Sequence, residues 1–463
     1  MQWLMLVFTF IAAAILNRIA RATVGGVPLE AMATLALGSV VLVAYVAGTI
    51  AQRHRIPRIV GYLIAGFVAG PAWFRLLRGP ELEVLSPIAN GALTLIAFAV
   101  GNALTLDPLR IQGAHRTALL RVLTGAVAAP FLAVTLVLLT VGPWFPLTAH
   151  QPFRDVLVVA LSLGTIAAVS SPTLIWPVIH DGAARVESLA ETTLQVSVLQ
   201  DVLALVLVVL VLAVALPLGS RGAVAPGSAT HALVIFAGSL VAGITLALAA
   251  TQYLRVIQDH LAWVLVILAL LVSQVVRLLG LDAVLIGLAA GFTLRAVAPS
   301  HSARVRGELE RCAIPVYVVF FALAGSSLQL DALSEIWPWI LLVMGLRGVG
   351  LWGGLQWAGR HPAVSADWVE YGWLGLVSQG GLAVTLAAIF RRAFPEWNVS
   401  LEALVVAMIG VHQLAGPICF RWALGRASTR EVTREVHDRP MARSHEAPAT
   451  PIAVDGGLGG SVQ

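Results

Sequence analysis

"AFAVGNALTLDPL", residues 97–109, returns 224 positions later as "FALAGSSLQLDAL", residues 321–333. Gly101 aligns with Gly325, Leu104 with Leu328, Leu106 with Leu330, Asp107 with Asp331 and Leu109 with Leu333. Three other pairs keep the same order. "LIAGF" (63–67) returns as "LAAGF" (288–292), "AAVSSPTL" (167–174) as "GLVSQGGL" (375–382), and "VLQD" (198–201) as "VHQL" (411–414). One such match is chance; four in sequence order are an internal repeat.

The composition says what the repeat is made of. Of 463 residues, 59% are hydrophobic and only 11% charged, against about a quarter charged in a soluble domain. Breaks at Pro, Gly and Arg clusters divide the chain into fourteen hydrophobic helices between residues 3 and 424, among them 57–74, 87–104, 154–179, 186–217, 336–359 and 368–392. The fold class expected is an all-α multi-pass membrane protein with about 13–14 transmembrane helices. Corresponding helices lie seven apart. An odd number makes the two halves, about 57–217 and 282–424, cross the membrane in opposite directions. That is an inverted-topology repeat, an architecture of secondary transporters, with the site at mid-membrane where broken helices meet.

All 29 basic residues are arginine. Loops after even-numbered helices hold Arg53, Arg55 and Arg58, then Arg110, Arg116 and Arg121, then Arg295, Arg304, Arg306 and Arg311, which places both termini in the cytoplasm. This membrane asymmetry accounts for the basic balance, and no nucleic-acid partner is expected. Residues 1–28 read as an extra N-terminal helix or a signal-like segment, since "ARA" (20–22) resembles a cleavage site; cleavage would leave thirteen spans. Residues 29–424 form the transmembrane domain. From 425 to 463 the polar, Pro- and Gly-containing sequence reads as a disordered cytoplasmic tail. Cys312 and Cys419 lie in or beside spans, have no metal-ligand spacing, and read as small apolar fillers.

Asp201 is the most informative residue. It lies near the middle of helix 186–217, with fifteen apolar residues and a proline in the stretch that follows. A central Asp costs about 2.5–3.5 kcal/mol on insertion scales, so such residues face a cavity or partner. A carboxyl group removed from water without a full-time counter-ion can take either a proton or a cation, which is the chemistry of exchange. Ser197, one turn earlier, and the adjacent Gln200 add hydroxyl and amide oxygens. For Ser197, a hydrogen bond back to a helix carbonyl competes with ligation. Ser170, Ser171 and Thr173 surround Pro172, which removes a backbone donor and frees carbonyls to line a cavity. Gln379, Gly380 and Gly381 form the corresponding break in the second half.

Arg347 is the second deep charge, eleven residues into helix 336–359. It can compensate the exposed C-terminal ends of broken half-helices, or pair with Asp201 in one state. His412 reads as a packing or hydrogen-bonding residue, with a proton relay as the alternative. Neither HExxH nor GxSxG is present, and an intramembrane aspartyl protease needs two acids acting together, so no enzyme is expected. A carrier of organic anions, using Arg347, and a non-transporting sensor are the alternatives to exchange.

With these landmarks placed, the chain resembles the monovalent cation:proton antiporter superfamily, in particular the branch with bacterial potassium-efflux and sodium/proton antiporters. The likeness rests on "IPRIVGYLIAGFVAGP" (56–71), "LTLIAFAVGNALTLDPLR" (93–110), "SSPTL" (170–174), "VLQDVLALVLV" (198–208), "LIGLAAGF" (285–292), "PVYVVFFALAGSSLQLD" (315–331), "LRGVG" (346–350) and "LVSQGGLAVTLA" (376–387). It implies a homodimer in the inner (plasma) membrane that exchanges Na+ or K+ for H+ by elevator-like alternating access, without a cofactor. It also implies that Asp201 binds the proton and the cation, that Arg347 is the family's deep basic residue, and that the breaks at 170–173 and 379–381 cross. Gln200 before a single Asp resembles the electroneutral pattern. Val196 and Leu382 depart from relatives that carry Glu at those places, and the nucleotide-binding regulatory control of potassium-efflux relatives is not expected.

Overall fold

The computed structural model describes residues 2–22, 28–103, 113–149, 151–183, 187–218, 228–256, 261–327, 333–380, 382–383, 386–387, 390 and 398–438. Asp107, Asp331 and Gly381 lie outside this set. All regular structure among the described residues is helical: α1 (Gln2–Ala22), α2 (Leu29–Arg53), α3 (Arg58–Ala69), α4 (Gly79–Ala103), α5 (Ala114–Val141), α6 (Phe153–Ala167), α7 (Pro172–Val178), α8 (Glu187–Leu218), α9 (Ser228–Val256), α10 (Leu261–Leu279), α11 (Ala283–Val297), α12 (Pro299–Ser326), α13 (Leu333–Ala358), α14 (Trp373–Gly375) and α15 (Asn398–Asp438). A π-helical turn, Ile179–Ala183, continues α7, and another, Trp368–Gly372, precedes α14. Nine stretches among the described residues are long and apolar enough to cross a membrane, the broken pair α6–α7 counting as one. Three shorter apolar helices accompany them, of which α3, at twelve residues, reaches about 18 Å.

Several boundaries differ from those expected. The helix expected at 57–74 ends at Ala69, because Gly70 and Pro71 follow. That expected from 87 begins at Gly79 and holds Pro87 within it. The last helix does not stop at 424 but runs on to Asp438, so the segment 425–438 of the expected disordered tail is helical. Composition hid this: "STREVTREVHD" is polar yet built mainly of residues that a helix tolerates, and Arg430 bonds Asp367 and Glu370 across the fold. At the other end, α1 packs on α2 and is anchored by polar contacts. Asn17 donates to Leu76 O at 2.9 Å, and Arg21 pairs with Glu81 at 2.9 Å.

Helices pack here through small residues, as in a membrane where apolar burial alone gives little drive between helices. Four glycines related through the repeat make close approaches between helices. A Cβ at Gly66 on α3 would strike the carbonyl of Ala322 on α12, and one at Gly325 on α12 the carbonyl of Leu63 on α3. A Cβ at Gly291 on α11 would strike the carbonyl of Phe98 on α4, and one at Gly101 on α4 the carbonyl of Leu288 on α11. Shifting each number in the first pair by the sequence offset of the repeat produces the second pair. The first short helix of each half thus lies against the second helix of the other half. Ser326 Oγ donates to Gly66 O at 2.9 Å, and Asn102, its counterpart, donates to Ser302 O at 3.2 Å.

Candidate functional site: a carboxyl group beside two crossed helix breaks

The chain leaves α6 at Ala167 and resumes as α7 at Pro172, with an extended Ser171 between. The proline at N1 starts a helix well but cannot continue one. In the second half the helical path stops after α14, and residues 378–380 are irregular. The two breaks touch main chain to main chain. Ser171 N donates to Ser378 O at 2.9 Å, and Ser170 Oγ donates to Leu376 O at 2.8 Å. A Cβ at Gly380 would collide with the Ser171 side chain, so the contact needs glycine at that point.

Helices that end inside a membrane leave carbonyls without donors. Arg347, on α13 and fully buried, supplies them. Its Nε donates to Ala167 O at 3.0 Å and its Nη2 to Val169 O at 2.7 Å, both at the first break. At the second break, Nη1 donates to Val377 O at 2.8 Å and Nη2 to Leu376 O at 2.8 Å. One guanidinium therefore bonds the C-terminal ends of both half-helices, where positive charge also opposes the helix dipoles. Of the two roles open from sequence, this arrangement has Arg347 on the carbonyls, and no ion pair joins it to Asp201 among the described residues.

Asp201 lies on α8, 1% exposed, and its Oδ1 makes no hydrogen bond. Gln200 beside it donates from Nε2 to Ala126 O at 2.9 Å and to Ala168 O at 3.2 Å, which draws this turn of α8 to the first break. Gln200 Oε1 and Ser378 Oγ are likewise buried without a hydrogen-bond partner. A carboxylate, an amide carbonyl and a hydroxyl are the oxygen types a hard monovalent cation takes. Ser197 is fully buried, but its hydroxyl donates back to Leu194 O at 2.8 Å. Ser171 and Thr173 share a hydrogen bond of 2.9 Å. Gln379, whose Nε2 donates to Ile166 O at 2.8 Å, is bonded through Oε1 to His412 Nδ1 at 2.8 Å. His412 therefore stays at the second break as a hydrogen-bonding residue.

Two cavities of about 530 Å³ lie along α12, one beside Glu310, Ala313 and Tyr317 and the other beside Phe320, Leu323 and Ser327. The first is reached where α3 starts and includes Arg58, Tyr62, His180 and Asp181. There Asp181 pairs with Arg58 at 3.1 Å and with Arg421 at 3.2 Å, joining α3 to α15. The second is reached where α4 and α11 start and includes Asn90, Asp282 and Gln413. Asp282 was not singled out from sequence. It stands at the end of a span, where Asp is an ordinary helix cap, and its burial depends on the fold.

A family model described as "Sodium/hydrogen exchanger, transmembrane" matches residues 38–423. The chain belongs to the sodium/hydrogen exchanger family. Membership of the cation:proton antiporter superfamily, expected from the eight motifs, is thereby borne out. The structure of the sodium proton antiporter MjNhaP1 from Methanocaldococcus jannaschii, determined at pH 8, superposes with a TM-score of 0.61. Sequence identity is 16%, and the match covers 87% of this chain and 99% of that one, so the exchanger-family fold is shared over nearly its whole length. A shorter match, 35% identical over 80 residues, joins the chain to the "Uncharacterized protein in phaC 3'region" of Methylorubrum extorquens. It spans 17% of this chain and 28% of that relative's length.

Proposed function

We propose that this chain is a secondary active antiporter that exchanges a monovalent cation, Na+ or K+, for protons at Asp201. The observation that carries the reading is a buried carboxyl group with an unbonded oxygen, set beside two crossed helix breaks whose own carbonyls are occupied by Arg347. Because the arginine serves the breaks, Asp201 is left to an exchangeable ion. Gln200 and Ser378 offer further oxygens, with Ser170, Ser171 and Thr173 at the first break and Ser197 one turn before Asp201 on α8. The family description favours sodium. Of the five N–H groups of Arg347, four are committed to carbonyls, which argues against an organic anion bound there.

One acid preceded by an amide supports one-for-one, electroneutral exchange. The reciprocal glycine contacts support the inverted repeat, with α3, α4, α11 and α12 as a scaffold and the crossed breaks in a mobile core, as elevator-like alternating access requires. The arginine distribution supports a cytoplasmic C-terminus; from the family resemblance we take the protein to lie in the plasma membrane as a homodimer.

The test is exchange in proteoliposomes loaded with a pH dye and challenged with Na+, K+ or Li+, with and without a voltage clamp. Wild type should alkalinise or acidify the lumen according to the cation gradient, independently of voltage. Asp201→Asn should abolish the signal while preserving the folded protein. Full exchange by that variant would overturn the assignment.

A further inference from the structure

Asp181 stands where the part of the molecule that carries the breaks meets the part that does not. It lies in the π-helical turn Ile179–Ala183 that continues α7, a rare form that recurs at functional sites. Its carboxylate gathers donors from three other elements. Oδ2 accepts from Arg58 N, the first N–H of α3, at 3.2 Å, and Oδ1 accepts from Gln52 Nε2 on α2 at 3.3 Å. Arg58 Nε lies 3.1 Å from Oδ1, and Arg421 Nη1 on α15 donates to Oδ2 at 3.2 Å. The residue before α3 is Pro57, which makes no side-chain cap. Asp181 therefore caps α3 from another element, with its charge at the end that the helix dipole favours.

Each side is firmly built within itself. α2 and α3 come so close that a Cβ at Gly61 would strike Ala47 O, and α3 is set against α12 through Gly66 and Gly325. On the other side α15 is fixed to the second break, where a Cβ at Gly416 would strike Ser378. Between the two lies the cavity of about 530 Å³, with α2, α3 and α12 on one side and Pro177, His180 and Asp181 on the other. At this point directional bonds along a cavity wall, rather than interlocked side chains, join the two sides. Such bonds are reversible, because water entering the cavity can satisfy each donor and acceptor when the walls part.

We propose that Asp181 is a latch between core and scaffold, closed on Gln52, Arg58 and the N-terminus of α3 in this conformation and released each time the core travels. The proposal rests on the alternating-access reading above and adds to it the contact that sets the resting position. Arg421, on the core like Asp181 itself, steadies the carboxylate without crossing to the scaffold. A conformation is favoured by the contacts that it alone makes. Removing the charge of Asp181 therefore moves the equilibrium away from this conformation, while removing Arg421 does not.

The test measures the distance between α2 and α15 in the full chain in liposomes. Spin labels are placed at Arg53→Cys and Gly425→Cys in a Cys312→Ala, Cys419→Ala background, and labelled protein is diluted among unlabelled copies. Both label sites are exposed, and a Cβ at Gly425 meets nothing within 4 Å. Double electron–electron resonance is read with and without Na+ at two pH values, on the monodisperse fraction of each variant. Wild type should show two distances whose ratio responds to Na+ and pH, with that of this conformation prevailing. Asp181→Asn, which can still cap α3 but carries no charge, should lower the ratio about fivefold, the upper end for an ion pair partly open to water. Asp181→Ala should lower it further, and Arg58→Gln should act in the same direction. Arg421→Gln, which also breaks an ion pair, should change the ratio by less than about twofold. An unchanged ratio in Asp181→Asn and Arg58→Gln, or an equal effect of Arg421→Gln, would overturn the latch alone. A single distance in wild type under every condition would sink the moving core, and the latch with it.

Discussion

Replacing Arg347 by Met keeps an unbranched side chain and removes every donor. Four carbonyls then lose a partner, but not equally. Leu376 O keeps Ser170 Oγ at 2.8 Å, and Val169 O keeps the longer contact from Gln379 Nε2 at 3.4 Å. Ala167 O and Val377 O depend on the arginine for the side-chain bonds described. A buried carbonyl left without a donor costs about 1–3 kcal/mol, so these two alone amount to roughly 2–6 kcal/mol. That is a large share of a total stability of about 5–15 kcal/mol. The midpoint for thermal loss of the folded species, read by size exclusion after heating in detergent, should fall by about 2–6 °C. Arg347→Lys, with three donors on one nitrogen, should recover only part of this because it cannot span both breaks. A Met variant that melts within about 1 °C of wild type would refute the assignment of Arg347 as the donor on which the crossing depends.

If proton and cation compete for Asp201, the apparent cation KM should rise with proton concentration, approaching tenfold per pH unit on the acid side. A KM independent of pH would argue for separate sites. Gly66→Ala and Gly291→Ala each drive a Cβ into a backbone carbonyl of the facing helix and should each cost about 1–3 kcal/mol, measured as a lower melting midpoint. Should only one of the pair be sensitive, the reciprocal packing does not bear equally on both halves. Asp181→Asn removes the partner of both Arg58 and Arg421, so it should lower the midpoint more than Arg58→Gln, which leaves the Arg421 pair intact. Arg430→Ala breaks only exposed pairs to Asp367 and Glu370 and should shift the midpoint by less than about 1 °C.

The helical, multi-pass fold was readable because a membrane demands long apolar runs, and such runs are local in sequence. The breaks were readable for the same reason, since Pro172 and Gly380 stand inside otherwise apolar spans. Asp201 and Gln200 stood out by polarity alone. The partners of Arg347 did not, because they are main-chain carbonyls at 167, 169, 376 and 377, and carbonyls carry no mark in a sequence. Asp282 was passed over because it looks like any helix cap until burial and the cavity around it are known. The extension of α15 was missed because hydropathy, which finds spans, says little about a polar helix outside one.

The guanidinium of Arg347 reads only backbone, and so does the Ser171–Ser378 contact between the two breaks. The crossing is therefore indifferent to which side chains stand at 167, 169, 376 and 377, provided their carbonyls stay in place. The arginine's bonds and the ion chemistry are separable: Asp201 or Ser197 can be exchanged without removing any of the arginine's four bonds. A chain built in this way can drift in ion preference while its central joint stays the same.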